Sequence, residues 1–243
     1  MASLYLHPGL GDADAAVGSR VEVTGDEARH ALQVARVRPG ERLAVSDGRG
    51  TVVRGAVVDA GQGVLAIVVD EVVHEPQARP ALWLAQALAK GDRDELAVQA
   101  ATELGVAGVI PWAAERSVSR WEGAKVAKGE ERWRSIVREA SKQAIRSRVP
   151  EVASLSTVAQ LAALDGLVVV LEPTGEVPLS GVAIDGADRV TLVVGPEGGI
   201  APRELERLAD AGAVIARLGT EVLRTSTAGP AALAVLNARL GRW

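Results

Sequence analysis

Apolar and polar positions follow one rhythm up to about residue 74 and another from Pro80 onward. In the first part the period is two. Arg20–Thr24 and Arg42–Ser46 alternate, and after the turn signal Asp47-Gly48-Arg49-Gly50 two further β-rich runs follow at Thr51–Val58 and Val64–Val69. One short helix is predicted among them, starting near Asp26 and carrying Ala31, Leu32 and Val34. Short strands of this kind close most naturally into a small β-barrel. His74–Pro80, with two prolines, reads as a linker.

From Pro80 the pattern becomes strand, helix, strand, the signature of a parallel α/β sheet. Ala81–Leu88 and Val106–Trp112 are predicted strands, and the helix between them runs from a cap at Asp92 through Leu104, ended by Gly105. A long helix is predicted within Lys125–Arg148, a short one at Ser156–Leu164, and a buried strand at Leu167–Leu171 that ends at Glu172-Pro173. Val190–Val194 is a β-branched run of the sort buried on both faces. Gly195-Pro196-Glu197-Gly198-Gly199 breaks it, Pro202 and Glu204 open a helix, and Val214–Leu218 follows as a strand. The loop Gly219–Ser226 then leads into an Ala/Leu-rich helix. Two such loops at the carboxyl ends of adjacent parallel strands form the crevice in which open α/β sheets bind ligands. The glycine loop is neither GxxxxGK[ST] nor GxGxxG, so it supports no phosphate or dinucleotide site of those types. On spacing alone it reads equally as a tight strand-to-helix turn.

Composition adds exclusions. The 243 residues carry a net charge of −4, so a polyanion partner needs a local basic surface. Lys125–Arg148 supplies one, with eight basic residues against three acidic ones. Within it Arg134, Arg138, Lys142 and Arg146 recur every four residues, opposite an apolar face of Trp133, Ile136, Val137, Ala140 and Ala144. Like charges at that spacing repel unless something negative meets them, which favours a phosphate-facing stripe over a merely solvated one. There are no cysteines, which removes disulfides, thiolate metal sites and cysteine nucleophiles together. His7, His30 and His74 lack ligand spacing, so no metal is expected. Five Trp, one Tyr and no Phe argue against a base-stacking platform. Met1–Ala16, with Asp12 and Asp14, has neither a basic start nor an apolar core and does not read as a signal peptide. No apolar run approaches the ~20 residues that span a bilayer. A soluble cytoplasmic protein without a membrane partner is the expectation.

The stretch LVVGPEGGIAPRELERLADAGA followed by RLGTEVLRTSTA resembles the C-terminal signature of the bacterial small-subunit (16S) ribosomal RNA uridine-N3 methyltransferases, of the SPOUT superfamily. The resemblance extends, more sparsely, to His30, Val34, Arg36, Arg38–Glu41 and Asp47-Gly48, to Lys90–Arg93, Glu103–Val106 and Glu115–Ser117, and to Glu139–Ser141, Gln143, Arg146 and Val149-Pro150. It implies a PUA-like RNA-binding barrel over residues 1–74, a linker over 75–80 and a SPOUT methyltransferase domain over 81–243. In that domain a trefoil knot holds S-adenosylmethionine, and two copies form a homodimer with the pocket at their interface.

Carried onto this chain, the cofactor-binding residues are Leu171, Glu172, Pro173, Gly195, Glu197, Gly198, Gly199, Leu218, Gly219, Leu223, Arg224, Thr225 and Ala228. RNA contacts fall on His30, Arg36, Lys90, Arg93, Arg116, Arg134, Arg138, Lys142, Gln143 and Arg146. Arg224 is the candidate to stabilise negative charge on a uracil oxygen, its alternative being a loop or phosphate anchor. Glu197 is a candidate acid–base group, its alternative being a helix cap. The chain departs from the family at Ala100, usually lysine, and at Ser226, often glutamate; the second change leaves Glu197, Glu221 or water to take the N3 proton. N3-methylation needs no cysteine adduct, which suits the composition. Other readings are methylation of a ribose 2′-hydroxyl, a non-catalytic ribosome-assembly factor and, more distantly, a nicotinamide-dependent dehydrogenase lacking its fingerprint.

Overall fold

A computed structural model of the chain describes residues 3–11 and 14–243. The reading of the amino-terminal stretch as no signal peptide rests partly on Met1, Ala2, Asp12 and Ala13, which lie outside the described residues. The chain divides into two compact units, Met1–Gln77 with Ser141–Val149, and Ala78–Ala140 with Pro150–Trp243.

The first unit is a curled five-stranded sheet. Its strands are β1 (Leu4–Leu6), β2 (Arg20–Val23), β3 (Arg42–Ser46), β4 (Thr51–Gly61) and β5 (Val64–His74). They lie in the order β1-β3-β4-β5-β2, antiparallel except for β1 beside β3. The alternation did its work here: Val21 and Val23, Val53 and Val57, Leu65 and Ile67 all point into one core with Tyr5 and Val45. The predicted helix is a short α1 (Gly25–Arg29) that continues into a π-helical turn over His30–Ala35. Arg36 ends that turn with φ 55°. Ser141–Val149, expected in the second domain, instead belongs to this unit and bonds to the turn between β3 and β4. Ser46 Oγ and the Gly50 N–H both donate to the Ser147 carbonyl, at 2.8 and 3.1 Å, and the Val149 N–H donates to Gly48 O at 2.9 Å.

The second unit is a parallel sheet with helices. In chain order it holds β6 (Ala81–Ala87), α2 (Arg93–Glu103), β7 (Gly108–Trp112), α3 (Ala124–Gln143, whose last three residues count with the first unit), β8 (Glu151–Val152), α4 (Val158–Ala162) and β9 (Leu167–Leu171). Then come β10 (Val177–Pro178), β11 (Arg189–Val194), α5 (Pro202–Asp210), β12 (Val214–Arg217) and α6 (Thr225–Arg239). The strand order is β10-β12-β9-β11-β6-β7-β8, every pair parallel. Val190, Leu192 and Val193 of β11 are buried, as a central strand covered on both faces requires.

Two local expectations fail. The strands β11 and β12 are not adjacent, because β9 lies between them. Asp92 occupies the cap position of α2 with φ 57° and no side-chain cap bond; the Asp94 carboxylate accepts from the Ala89 and Glu95 N–H groups instead. Pro202 and Glu204 behave as predicted, Glu204 accepting the Ala201 N–H at 3.1 Å. Among the described residues no helix is long and apolar enough to cross a membrane.

Candidate functional site

Register brings the site together. Val194 lies opposite Gln86 of β6 on one side and Leu171 of β9 on the other, and Leu171 lies opposite Ala216 of β12. Four neighbouring parallel strands therefore end level, and the loops after β9, β11 and β12 open at one edge. Between them is a cavity of about 450 Å³. Leu171, Glu172 and Pro173 line one wall, Gly195, Glu197 and Gly199 a second, and Leu218, Gly219, Leu223, Arg224, Thr225 and Ala228 a third. These are the expected cofactor-binding residues, with one exception. Gly198 faces Arg116, whose Cβ would lie 3.1 Å from any Cβ added there, and its carbonyl accepts from Arg116 Nη1 at 3.2 Å. The cavity also takes in Arg93, Val194, Pro196, Ile200, Glu221 and Val222. Pro196, Glu221 and Val222 lie inside the two loop motifs and were within reach of sequence reasoning; Val194 and Ile200 flank them.

The loops after β11 and β12 are tied at their roots. The Trp112 indole, fully buried in the core, donates to Val194 O at 3.0 Å. Gly195 follows, where a Cβ would meet Ile200 Cγ1 at 2.7 Å. The Thr225 hydroxyl, at the start of α6, donates to Gly195 O at 2.7 Å and accepts from buried Gln86 Nε2 at 2.8 Å. Glu197 is held from the neighbouring loop, its Oε1 accepting the Lys90 N–H and an Arg93 N–H, both at 3.0 Å. Partial burial works to raise the Glu197 pKa. The N–H groups of Glu197 itself and Lys90, with the Arg93 guanidinium, outweigh burial and hold it below the usual carboxylate value. Through these bonds the Glu197 carboxylate braces the loop against the residues that follow β6. Arg224 lines the cavity from an exposed position, and among the described residues its guanidinium takes part in no hydrogen bond or ion pair.

The residues expected at RNA divide differently. Lys90, Arg93 and Arg116 gather on the Gly195–Gly199 loop. In the first unit His30 and Arg36 are exposed, the His30 ring 6.4 Å from that of Tyr5. On α3, Arg134 is exposed and paired with Glu130 and Glu131, Arg138 is half-buried and Gln143 is exposed. The four-membered stripe is shortened at its end. Helix α3 stops at Gln143, and Ile145 turns the chain with φ 54°, so Arg146 is not on the helix. Burial lowers the Arg146 pKa to about 10. Lys142 forms an ion pair with Glu27 at 3.2 Å, with only 12% and 9% of the two side chains exposed. That leaves Lys142 little to offer a phosphate.

Residues 76–237 match the model of an RNA methyltransferase domain, and residues 23–69 match that of an RNA methyltransferase PUA domain. A protein of Mycobacterium bovis named ribosomal RNA small subunit methyltransferase E is 44% identical over 233 residues, covering 93% of this chain and 89% of its own. The Bacillus subtilis protein of the same name is 31% identical, covering 88% of each. Among solved structures, a ribosomal RNA small subunit methyltransferase E from Neisseria gonorrhoeae bound to S-adenosyl methionine matches with a TM-score of 0.83 at 26% identity, over 98% of both chains. A level row of strand ends, a cavity walled by the two motif loops and these likenesses over nearly the full length agree: the chain is an RNA methyltransferase and belongs to the ribosomal RNA small subunit methyltransferase E family.

Proposed function

We propose that the protein transfers a methyl group from S-adenosylmethionine to N3 of a specific uridine in small-subunit (16S) ribosomal RNA. The observation that carries this reading is the cavity itself. Its volume of about 450 Å³ falls in the range of small-molecule sites, and its walls are largely glycine, proline and aliphatic residues with a few polar groups. A nucleoside-sized ligand fits such a slot, with Leu171–Pro173, Gly195–Gly199 and Leu218–Ala228 as its holders. S-adenosylmethionine supplies an activated methyl on a sulfonium, which an N3 anion can take in a single displacement.

The chain's own groups orient and stabilise. The braced loops fix the donor's direction, and alignment of reacting atoms is worth up to ~7–11 kcal/mol in such reactions. Arg224 balances negative charge on a uracil carbonyl oxygen as the N3 proton leaves. With Glu197 engaged, the carboxylates at the cavity that remain to take that proton, directly or through water, are Glu172 and Glu221. RNA is held by Lys90, Arg93 and Arg116 near the loop, by Arg134, Arg138 and Gln143 along α3, and by His30 and Arg36 on the helical turn of the PUA-like unit. We further propose that the loops are threaded as a trefoil knot, that two copies form a homodimer, and that the protein works in the cytoplasm.

The test is to incubate purified small ribosomal subunits lacking the modification with tritiated S-adenosylmethionine and the protein, then map the label. Label on N3 of one uridine is expected. Label on a ribose 2′-hydroxyl would assign another acceptor, and no transfer, with no binding of S-adenosylmethionine by calorimetry, would leave an RNA-binding assembly factor.

A further inference from the structure

Gln86 lies in the middle of the parallel sheet, fully buried, in a strand whose other buried neighbours are apolar. Burying an amide there is costly unless it is used. Its Nε2 donates to Ala87 O at 3.1 Å and to Thr225 Oγ1 at 2.8 Å, while among the described residues Oε1 has no partner. The orientation is fixed by its neighbours. Ala87 O only accepts, so the NH₂ end must face it. Thr225 in turn has one proton, which goes to Gly195 O, so its oxygen must accept from Gln86. The chain of bonds therefore runs one way, from Gln86 through Thr225 to the Gly195 carbonyl.

What this chain restrains is the place where restraint is otherwise weakest. Gly195 has to be glycine, because a Cβ would strike Ile200. A glycine, however, leaves the root of the loop free to rotate. The bond to its carbonyl restores that restraint. Thr225 is also the first residue of α6 and directly follows Arg224, so the same hydroxyl fixes the end of the second cavity loop. One buried amide thus ties both motif loops to each other and to β6.

We infer that Gln86 is a positioning residue, which sets the separation of the two cavity loops through the Thr225 hydroxyl and thereby governs affinity for the methyl donor. The inference rests on the proposed binding of S-adenosylmethionine in this cavity. It is tested by titrating that compound calorimetrically into wild-type protein, Gln86→Leu, Thr225→Val, Thr225→Ser and the Gln86→Leu/Thr225→Val double variant. Gln86→Met stands in should the leucine variant fail to fold, and the KM for the RNA substrate is measured beside each. Gln86→Leu is expected to weaken binding of S-adenosylmethionine about tenfold, as loss of one buried hydrogen bond does, with KM for RNA little changed. Thr225→Ser, which keeps the hydroxyl, should recover affinity lost in Thr225→Val. The double variant should bind no more weakly than the weaker single one, since residues acting in series do not add. Binding by Gln86→Leu within twofold of wild type, or additive losses in the double variant, would overturn the inference. Absence of binding by the wild-type protein would instead overturn the proposed function on which it rests.

Discussion

Arg224 and Glu197 entered as a pair of candidates, and their surroundings separate them. A guanidinium at the cavity that has no partner among the described residues is available to a substrate oxygen. Replacing Arg224 with Ala should lower kcat roughly 10- to 100-fold, the equivalent of one hydrogen bond to a charged group at ~1.5–3 kcal/mol, and leave affinity for S-adenosylmethionine nearly intact. Steady-state kinetics with calorimetry checks it; a large loss of donor binding would make Arg224 a loop anchor. Glu197 predicts a pH effect. Its folded-state pKa is depressed, so the stability it contributes is complete above the ordinary glutamate value of about 4.3 and is lost as pH falls through the lower folded value. Glu197→Gln should cost at most about 1 kcal/mol at neutral pH, because the Arg93 pair is open to solvent, and its thermal melting should converge with wild type in acid. The motif Gly-Pro-Glu-Gly-Gly made Glu197 visible in the sequence. That its carboxylate is engaged by Lys90 and Arg93, over a hundred residues away in the chain, was not visible, because nothing local encodes a partner at that distance.

Among the elements, strands were the most legible and the end of α3 the least. β3 and β9 fall where alternation and the buried apolar run placed them, because a two-residue period or a fully buried strand leaves few other solutions. The two-residue strands β8 and β10 carry no such signal and went unforeseen. The four-residue spacing of Arg134, Arg138, Lys142 and Arg146 implied one uninterrupted helix; periodicity cannot see that Ile145 takes a left-handed turn. The stripe therefore divides by role. Lys142→Ala should destabilise the protein by roughly 1.5–3 kcal/mol, because it removes a largely buried charged hydrogen bond to Glu27, as denaturant unfolding would measure. Arg134→Ala should change stability by no more than about 0.5 kcal/mol and lower RNA affinity, with a salt slope shallower by about one. If filter binding against salt gave Arg134→Ala the wild-type slope, that residue would be solvated surface only.

For the whole molecule, the change of rhythm near Pro80 marked the passage from an antiparallel to a parallel sheet. It could not mark the return of Ser141–Val149 to the first unit, since nine residues with no strand pattern of their own look the same in either place. Residues 1–77 alone should therefore lack a part of their own structure, with Ser46, Gly48 and Gly50 deprived of bonding partners. We expect that fragment to melt without a cooperative transition by circular dichroism, and the intact chain to melt cooperatively. A cooperative transition in the fragment would show that the returning segment is dispensable. The same return has a consequence for biosynthesis. Ser141 leaves the translating ribosome some 64 residues after Gln77, a delay of roughly 3–13 s at ordinary elongation rates. During that interval the nascent amino-terminal sheet waits, unfinished, for a stretch still being translated, and chaperones that shelter emerging polypeptides have their opportunity there.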